Sequence, residues 1–231
     1  YMKRTNIHRA LAFLVLGLIA TAQVYAQYMP VVFDKKYGDN NKIEHVCPLV
    51  GDEVAMVGKE GQKFNLTWVD REGEVVFSMP LTGFASVNQL VELDDNRLLI
   101  VGQSAVVSKL KDKKDITLCG RLVIMNRSGN TVTNVYAGSQ GSEIMKGALL
   151  RSGALLVAGS EPKASGRQGF IMKVDKDGRV LYQYRNVESG YCAHFEVLGN
   201  TTEYVCAVFS SAKDKEKAAS VRLDDKGNPY Y

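Results

Sequence analysis

The chain has 231 residues, 45% of them hydrophobic, with 29 Lys and Arg against 25 Asp and Glu. The first 26 residues hold three of the basic side chains and none of the acidic ones, so 26 basic and 25 acidic side chains remain in the other 205 residues. This nearly neutral balance argues against nucleic-acid binding, which depends on a strongly basic surface. No stretch after residue 26 approaches the ~18 consecutive apolar residues of a membrane-spanning helix, so no membrane insertion is expected there.

The segment 1–26 has the pattern of a secretory signal peptide. A basic start precedes an apolar run at 10–20, and the segment ends in the small residue Ala26. A charged head, an apolar run of about 7–15 residues and a small residue at the exit are typical of such peptides. As a helix the apolar run would span about 16 Å, well short of a bilayer core of about 30 Å. We therefore predict cleavage before Gln27 and export to the periplasm or cell surface, in preference to a membrane anchor.

A single predicted strand at 31–37 is followed by four similar units of about 49 residues, which lie approximately at 43–80, 84–137, 142–187 and 191–231. Each unit has a polar turn that ends in Gly, at 70–73, 126–129, 175–178 and 224–227. Each also has an apolar strand that ends in a small residue, at 55–58, 99–102, 156–159 and 205–208. The distance from a turn Gly to the small residue of the next unit is 29, 30 and 30 residues. The other half of the unit varies in length, as expected of a constant framework with one adjustable loop.

The unit at 142–187 shows its strands most clearly, and we name them a to d in chain order. Strand a covers 143–151, strand b 154–159, strand c 170–175 and strand d 180–184. Strand c alternates with the period of two expected of a strand with one face more buried. In the turn between c and d, an Asp side chain caps the backbone and a Gly takes the positive φ. We expect this order in every unit, and very little helix.

These features predict an all-β fold, and a β-propeller in preference to a pair of β-sandwiches. Four short antiparallel strands, repeated every 40–50 residues or so, describe a propeller blade, which buries both faces only by stacking on its neighbours. A sandwich gives no reason for the strict internal spacing. The strand at 31–37 resembles a strand d without its own a, b and c, and residues 228–231 begin a strand d and stop. We therefore expect a partial propeller that is open or truncated.

The stretch Gly169–Tyr182 resembles the Asp-x-x-Gly repeat of secreted bacterial β-propellers in the quinoprotein-like superfamily. Residues 153–159 are similar to the Gly-flanked apolar strand of that family. The resemblance covers all four units, although Asn126 replaces the turn Asp in the second. It implies a propeller fold in an exported protein. Because the motif is structural, no active-site residue carries over. The related quinone-binding enzymes use a recurrent Trp, whereas Trp68 is the only one here.

The four cysteines, Cys47, Cys119, Cys192 and Cys206, are too few for a disulfide scaffold. They include no Cys-x-x-Cys pair for zinc. Export would permit disulfides. If a hairpin turns near Asn200, however, Phe195 rather than Cys192 lies opposite Cys206. We therefore expect buried free thiols.

No catalytic or metal-binding constellation stands out, and no cofactor or metal is predicted. Residues 175–178 begin like a calcium loop, but 179–182 form the next strand in place of further ligands. His45 and His194 lie near the start of strand a in their units, with no third ligand or carboxylate in register. This favours structural roles for both histidines.

The predicted b–c loops share one face of the fold with the d–a loops. The b–c loops are 59–62, 103–118, 160–169 and 210–217, and the d–a loops are 81–83, 139–141 and 188–190. Loops on a rigid scaffold often carry function. The candidate binding residues on or near this face are Lys109, Lys111, Lys113, Lys114, Lys163, Arg167, Lys213, Lys215, Lys217, His45 and His194. Such a basic rim could attract an anionic glycan or an acidic partner. Interleaved Asp and Glu residues favour plain solvated loops.

Two functions stay open at this point. The first is a non-enzymatic binding or scaffolding module that uses the b–c/d–a face, with a protein or a glycan as partner. The second is an extracellular glycan-acting lyase or hydrolase, whose site in a central funnel would need paired carboxylates or a His–carboxylate pair. Acidic residues of the innermost strands are Glu44, Glu92, Glu143 and Glu196. We also expect residues 103–118 to be the most mobile part of the chain, because this Lys-rich segment has little apolar surface to offset the entropy of ordering it.

Overall fold

The structure is a computed structural model and describes residues 42–93, 96–110, 113–164, 166–175, 177–198, 204–211 and 218–230. The predicted signal peptide, the predicted strand at 31–37, Lys111, Lys213, Lys215 and Lys217 lie outside these ranges. All regular elements within them are β-strands, in agreement with the all-β prediction. None of the described residues forms a helix with the length and apolar character needed to cross a bilayer.

The strands fall into three consecutive groups of four, followed by two more. The first group is β1 (Lys42–Leu49), β2 (Glu53–Glu60), β3 (Lys63–Val69) and β4 (Val75–Pro80). The second is β5 (Phe84–Glu92), β6 (Leu98–Leu110), β7 (Lys113–Met125) and β8 (Thr131–Ala137). The third is β9 (Glu143–Leu149), β10 (Leu155–Lys163), β11 (Gly166–Val174) and β12 (Val180–Leu198), after which come β13 (Tyr204–Ser211) and β14 (Ala218–Leu223).

Each group forms a four-stranded antiparallel sheet in chain order, as the a-b-c-d prediction requires. The third sheet continues, because β12 also pairs with β13, and β13 with β14. Strand β12 thus joins strand d of one unit to strand a of the next. The predicted d–a loop at 188–190 is therefore wrong, since these residues lie within β12, where Gly190 has a φ of +155°. In the described ranges the sheets form an open series.

The second strand of the second sheet and the second strand of the third sheet are each buried on both faces. In β6, Leu98 and Ile100 pack into a core shared with the first sheet, whereas Leu99 and Val101 pack into a core shared with the third. Residues 155–158 of β10 divide in the same way between two cores. A strand covered on both sides needs apolar residues at every position, which explains its unbroken apolar sequence. A two-sheet sandwich has one shared core, so this series favours stacked blades.

The turns between strands c and d are capped by side chains, as predicted. The Oδ1 atom of Asp175 accepts hydrogen bonds from the backbone N–H groups of Asp177 (2.9 Å) and Arg179 (2.8 Å). Asn126 Oδ1 accepts the equivalent bonds from Ser128 (3.1 Å) and Asn130 (2.9 Å). An amide oxygen accepts as a carboxylate does, so the replacement of Asp by Asn keeps the turn. Asp175 thus caps this turn, as predicted.

Every strand a in the described ranges contains a β-bulge, which lies opposite the end of strand b. In the first two sheets the register shifts between Ile43 and His45 and between Val87 and Gln89. A Cβ at Gly102 would lie 2.0 Å from the carbonyl oxygen of the bulged strand, so only Gly fits. In β13 the residue at the position equivalent to Gly102 is Phe209, which pairs with the residue just before the bulge. The sequence pattern instead aligned Val208, one residue earlier, with the b-strand glycines. That alignment is wrong by one residue.

The variable b–c segments are hairpins of different length rather than loops. The last paired residues are Glu60 and Lys63 in the first, Leu110 and Lys113 in the second, and Lys163 and Gly166 in the third. Each pair leaves two residues for the turn. The prediction of a loop at 103–118 is therefore wrong, because alternating β-branched and apolar residues extend β6 and β7 past the sheet. The mobility of this segment stays a prediction.

The cysteine register differs from the expected one by a single residue. Glu196, not Phe195, lies opposite Cys206, and Cys192 lies opposite Phe209. Cys47, Cys119 and Cys192 are free thiols, and Cys47 and Cys192 are buried. Free, buried thiols are thus confirmed at two positions.

Candidate functional site

The b–c hairpin of the second sheet extends beyond the strands that flank it. Strand β5 accompanies β6 only as far as Ser104, and β8 accompanies β7 only as far as Gly120. Past these positions β6 and β7 pair with each other alone, up to Leu110 and Lys113. We call residues 105–110 and 113–119 the hairpin arm. Its base is held by backbone hydrogen bonds from Ala105 N to Gly83 O (3.2 Å) and from Gly141 N to Leu118 O (2.5 Å).

The hairpin arm presents apolar side chains to solvent and basic residues at its tip. Ile116 is 66% exposed and Leu118 is 38% exposed. The two residues lie two positions apart, so they occupy one face of β7. Lys109 pairs in register with Lys114, next to the terminal pair of Leu110 and Lys113. The structure thus places three of the predicted basic residues at the end of one arm.

An arginine that the sequence analysis missed lies at the base of the hairpin arm. Arg121 Nε donates to Asn134 Oδ1 (3.0 Å), and Nη1 donates to the Thr82 carbonyl (2.8 Å). Its guanidinium carbon is 4.6 Å from the ring centroid of Phe84 and 5.7 Å from that of Tyr136. We call Arg121, Phe84, Asn134 and Tyr136 the Arg121 cluster. Arg121 is a charged residue within strand c, opposite Gly102 of strand b. The third unit has the buried Phe170 at the same position, opposite Gly159. This difference between the units is the signal that the sequence offered.

The third b–c hairpin is anchored to the connection that precedes its sheet. Arg167 donates from Nε to Ser160 Oγ (2.8 Å), and from Nη2 to the carbonyls of Ser160 (3.0 Å) and Gly141 (3.1 Å). A Cβ at Gly141 would lie 2.7 Å from Pro162, which shows how closely the two segments pack. Arg167 therefore holds the hairpin in place, whereas Lys163 is exposed at the tip.

An ion pair between the buried Glu161 and the half-exposed Arg185 adds a second anchor to this hairpin. Glu161 is 4% exposed and accepts hydrogen bonds from Arg185 Nε and from Ser139 N (3.3 Å). Ser139 belongs to the connection after β8, and Arg185 belongs to β12. The carboxylate thus links the second sheet to the third.

His45 contacts the backbone of the neighbouring sheet. Its Nε2 lies 2.8 Å from the Val87 carbonyl oxygen, and because a carbonyl only accepts, Nε2 carries the proton. Two residues at the same register position in later units also contact strand a of the unit that follows. Gln89 Oε1 accepts from Gly147 N (2.7 Å), and Lys146 Nζ lies 5.7 Å from the Phe195 ring centroid. The recurrence supports a structural role for His45. His194 lies in β12, and the structure describes its backbone pairing with Val208.

Three acidic residues of the inner strands, Glu44, Glu92 and Glu143, each have separate partners among the described residues. Glu143 Oε1 accepts from Asn88 Nδ2 (2.9 Å) and Ser86 Oγ (3.4 Å). Glu44 pairs with Lys42 (3.8 Å), and Glu92 with Arg127 (3.2 Å) at the other end of the sheet. Among the described residues, no group of three or more His, Cys, Asp or Glu could hold a metal ion.

The thiols near this region are not activated as nucleophiles. Burial raises the pKa of Cys119, although the nearby Arg121 guanidinium favours the thiolate. Burial also raises the pKa of Cys47. The thiolate is the reactive form, so burial disfavours the reactive form of both groups.

A cavity of about 380 Å³ lies away from this face, at the end of the third sheet that carries the a–b and c–d turns. Its lining residues are Ser152, Gly153, Ala154, Lys173, Asp175 and Leu181. It is separate from the hairpins and does not contribute to the candidate face.

No family model matches the chain, and no curated protein matches it. Among solved structures it is similar to the Dos1 propeller, with 12% identity and a TM-score of 0.49 over 85% of this chain and 50% of that one. It is also similar to MPT-4, a mannose phosphorylase from Leishmania mexicana, with 11% identity and a TM-score of 0.45 over 82% and 64% of the two chains. A protein of unknown function from Bacteroides caccae has 12% identity and a TM-score of 0.37 over 87% and 84%. The chain therefore spans half the length of the Dos1 propeller. Similarities of this size carry no information about function.

Proposed function

We propose that this chain is an exported, non-enzymatic binding or scaffolding module that acts through the face formed by its b–c hairpins and d–a connections. The proposal takes 1–26 as a signal peptide and the four units as blades of a partial β-propeller. The observation that carries it is the hairpin arm, whose two strands continue past both of their neighbours and expose apolar side chains.

The arm has the properties of a recognition element rather than of a stabilising one. Its outer edges carry backbone N–H and C=O groups beyond the last flanking strand, and such edges are templates for pairing with another chain. Ile116 and Leu118 add exposed apolar surface on one face. The neighbouring third hairpin contrasts with it, since Arg167 and Glu161 fix that hairpin to the scaffold. A projecting arm beside a fixed one gives a partner an accessible contact on a rigid base.

The contacts of three inner-strand carboxylates fit structural roles. Glycoside hydrolysis needs two carboxyl groups across one bond. Glu143 is held by an amide and a hydroxyl, whereas Glu44 and Glu92 pair with cations elsewhere. These contacts are the arrangement of structural carboxylates.

The test is a binding screen of the full chain on an array that carries acidic glycans, neutral glycans and acidic peptides, followed by a turnover assay on every ligand bound. The variant Ile116→Ser/Leu118→Ser removes the exposed apolar face of the arm. The matched control is Val180→Ser/Leu181→Ser, which changes residues 50% and 53% exposed at the far end of the third sheet.

We expect binding without turnover, a loss of about tenfold or more in affinity for the arm variant, and a change of less than about twofold for the control. Turnover of a bound glycan would establish the enzymatic alternative. Equal binding by the arm variant and the wild type would place the interaction on another face, and no binding on any part of the array would contradict the proposal.

A further inference from the structure

We infer that the Arg121 cluster is a binding site for an acidic saccharide, in which the guanidinium takes the anionic group and the Tyr136 ring packs against the sugar ring. This inference rests on the proposed function and names the ligand class for the same face. It is carried by the fixed position of Arg121, by the neutral character of its partners and by the exposed aromatic ring beside it.

The guanidinium of Arg121 is held in place before any ligand arrives. Two of its nitrogens donate to Asn134 and Thr82 at 3.0 and 2.8 Å, and the group lies over the Phe84 ring. A Cβ at Gly83 would lie 2.9 Å from Nη1, so the connection before β5 is shaped around the arginine. A donor that is already ordered loses little conformational entropy on binding.

The positive charge of Arg121 is left for a ligand to balance. Both of its hydrogen bonds go to neutral oxygens, one an amide and one a backbone carbonyl. Arg127 and Arg185 differ, since they pair with Glu92 and Glu161. Among the described residues, Arg121 Nη2 has no hydrogen-bond acceptor. An anionic oxygen there would form a charge-assisted hydrogen bond, which is among the stronger polar contacts in proteins.

Tyr136 supplies the second contact and decides between classes of ligand. It is 51% exposed, and its ring centroid lies 5.7 Å from the Arg121 guanidinium carbon. Tyr combines an apolar ring with a polar hydroxyl and loses little entropy when it binds. An acidic amino-acid side chain would use the cation alone. An acidic sugar carries a rigid ring and an anion on one unit, so it uses both groups.

The location fits a ligand that also reaches the hairpin arm. Arg121 lies in β7, and the arm begins two residues before it, at Cys119. An oligosaccharide bound at Tyr136 can therefore extend along the face of the arm that carries Cys119 and Thr117, whereas Leu118 and Ile116 lie on the opposite face.

The test is calorimetric titration of the full chain with a uronic-acid oligosaccharide, a sulfated oligosaccharide, a neutral oligosaccharide of the same length, and inorganic sulfate. The first two probes distinguish a carboxylate from a sulfate as the anionic group. The variants are Arg121→Gln and Tyr136→Ala. Their matched controls are Arg71→Gln, at an exposed turn, and Tyr230→Ala, whose ring is 55% exposed and lies 5.1 Å from Arg222.

We expect at least one acidic oligosaccharide to bind, with affinity that falls as salt rises, and the neutral one to bind at least about tenfold more weakly. Arg121→Gln should weaken binding by about tenfold or more, and Tyr136→Ala by about fivefold or more, whereas the controls should bind as wild type. Because Tyr136 is exposed, its variant tests the site even if Arg121→Gln fails to fold.

Three results would overturn the inference. They are acidic binding that both site variants retain, equal binding of the neutral probe, and displacement of the acidic saccharide by an acidic peptide with higher affinity. If the arm variant loses binding while the Arg121 and Tyr136 variants keep it, the inference fails and the proposed function stands.

Discussion

Three of the c–d turn glycines, Gly129, Gly178 and Gly227, meet two separate requirements. Gly129 has a φ of +79°, and a Cβ there would lie 2.2 Å from the Phe77 ring of the preceding sheet. A Cβ at Gly178 would lie 2.8 Å from Val135 of the preceding unit, and one at Gly227 would lie 2.5 Å from Tyr182 of the preceding unit. The positive φ could be predicted from the turn motif. The packing could not, because it joins two units that are distant in sequence.

Comparison of Gly129→Ala with Gly153→Ala separates the two requirements. Gly153 has the same φ of +79° but open space around it. We expect Gly153→Ala to lower the free energy of unfolding by about 1 kcal/mol through backbone strain. Gly129→Ala should cost about 1–3 kcal/mol more, because the Phe77 ring must shift. Urea unfolding of both variants measures the difference.

A double variant completes this test. Phe77→Leu combined with Gly129→Ala should recover part of the loss, because a smaller side chain makes room for the new methyl group. Equal costs for the two single variants would show that φ alone accounts for Gly in these turns.

At the scale of elements, the second and third b–c hairpins are built alike but attached differently. The second pairs only with itself beyond Ser104 and Gly120, whereas the third is fixed by Arg167 and Glu161. The sequence could predict where these segments lie, since the Gly and turn anchors frame them. Their strand character was missed because lysines hide the alternating apolar residues. The position of Arg121 at the base was missed because cross-strand partners depend on register.

Shortening each hairpin by the same amount tests this difference. Replacing Lys109–Lys114 with Asn-Gly keeps a two-residue turn after Ser108, and we expect the thermal midpoint to stay within about 2 °C of the wild type. Replacing Pro162–Arg167 with Asn-Gly removes the three hydrogen bonds of Arg167. This variant should lose about 4 °C or more. Scanning calorimetry gives both midpoints, and a large loss in the first variant would show that the arm packs on the scaffold.

At the scale of the whole molecule, stability is expected to follow the series of shared cores. Strands β6 and β10 contribute to a core on each face, whereas β4 is the outermost strand of the first sheet and carries Val75 and Val76 at 53% and 59% exposure. The stacking of units could be predicted from the repeat spacing. The continuity of β12 could not, because the extended backbone at Gly190 replaces a loop with no signal in the sequence.

Native-state amide hydrogen exchange should rank the strands in this order. We expect the slowest exchange in β6 and β10, because opening them exposes two cores at once. Exchange should be fastest in β4 and in the hairpin arm, where neighbouring strands or cores are missing on one side. Equal protection of β4 and β10 would contradict nearest-neighbour stabilisation and indicate one cooperative unit.

The register of the b–c hairpins also limits which insertions and deletions in the gene preserve the orientation of a hairpin. Glu60, Lys163 and Leu110, the last paired residues of three hairpins, lie two, four and eight residues beyond Gly58, Gly159 and Gly102. In an antiparallel ladder, narrow and wide pairs alternate, and adding a single residue to each strand turns the tip to the opposite face. Two residues per strand keep both the turn and the orientation. Insertions and deletions of four codons thus lengthen or shorten a hairpin while preserving the face that it presents.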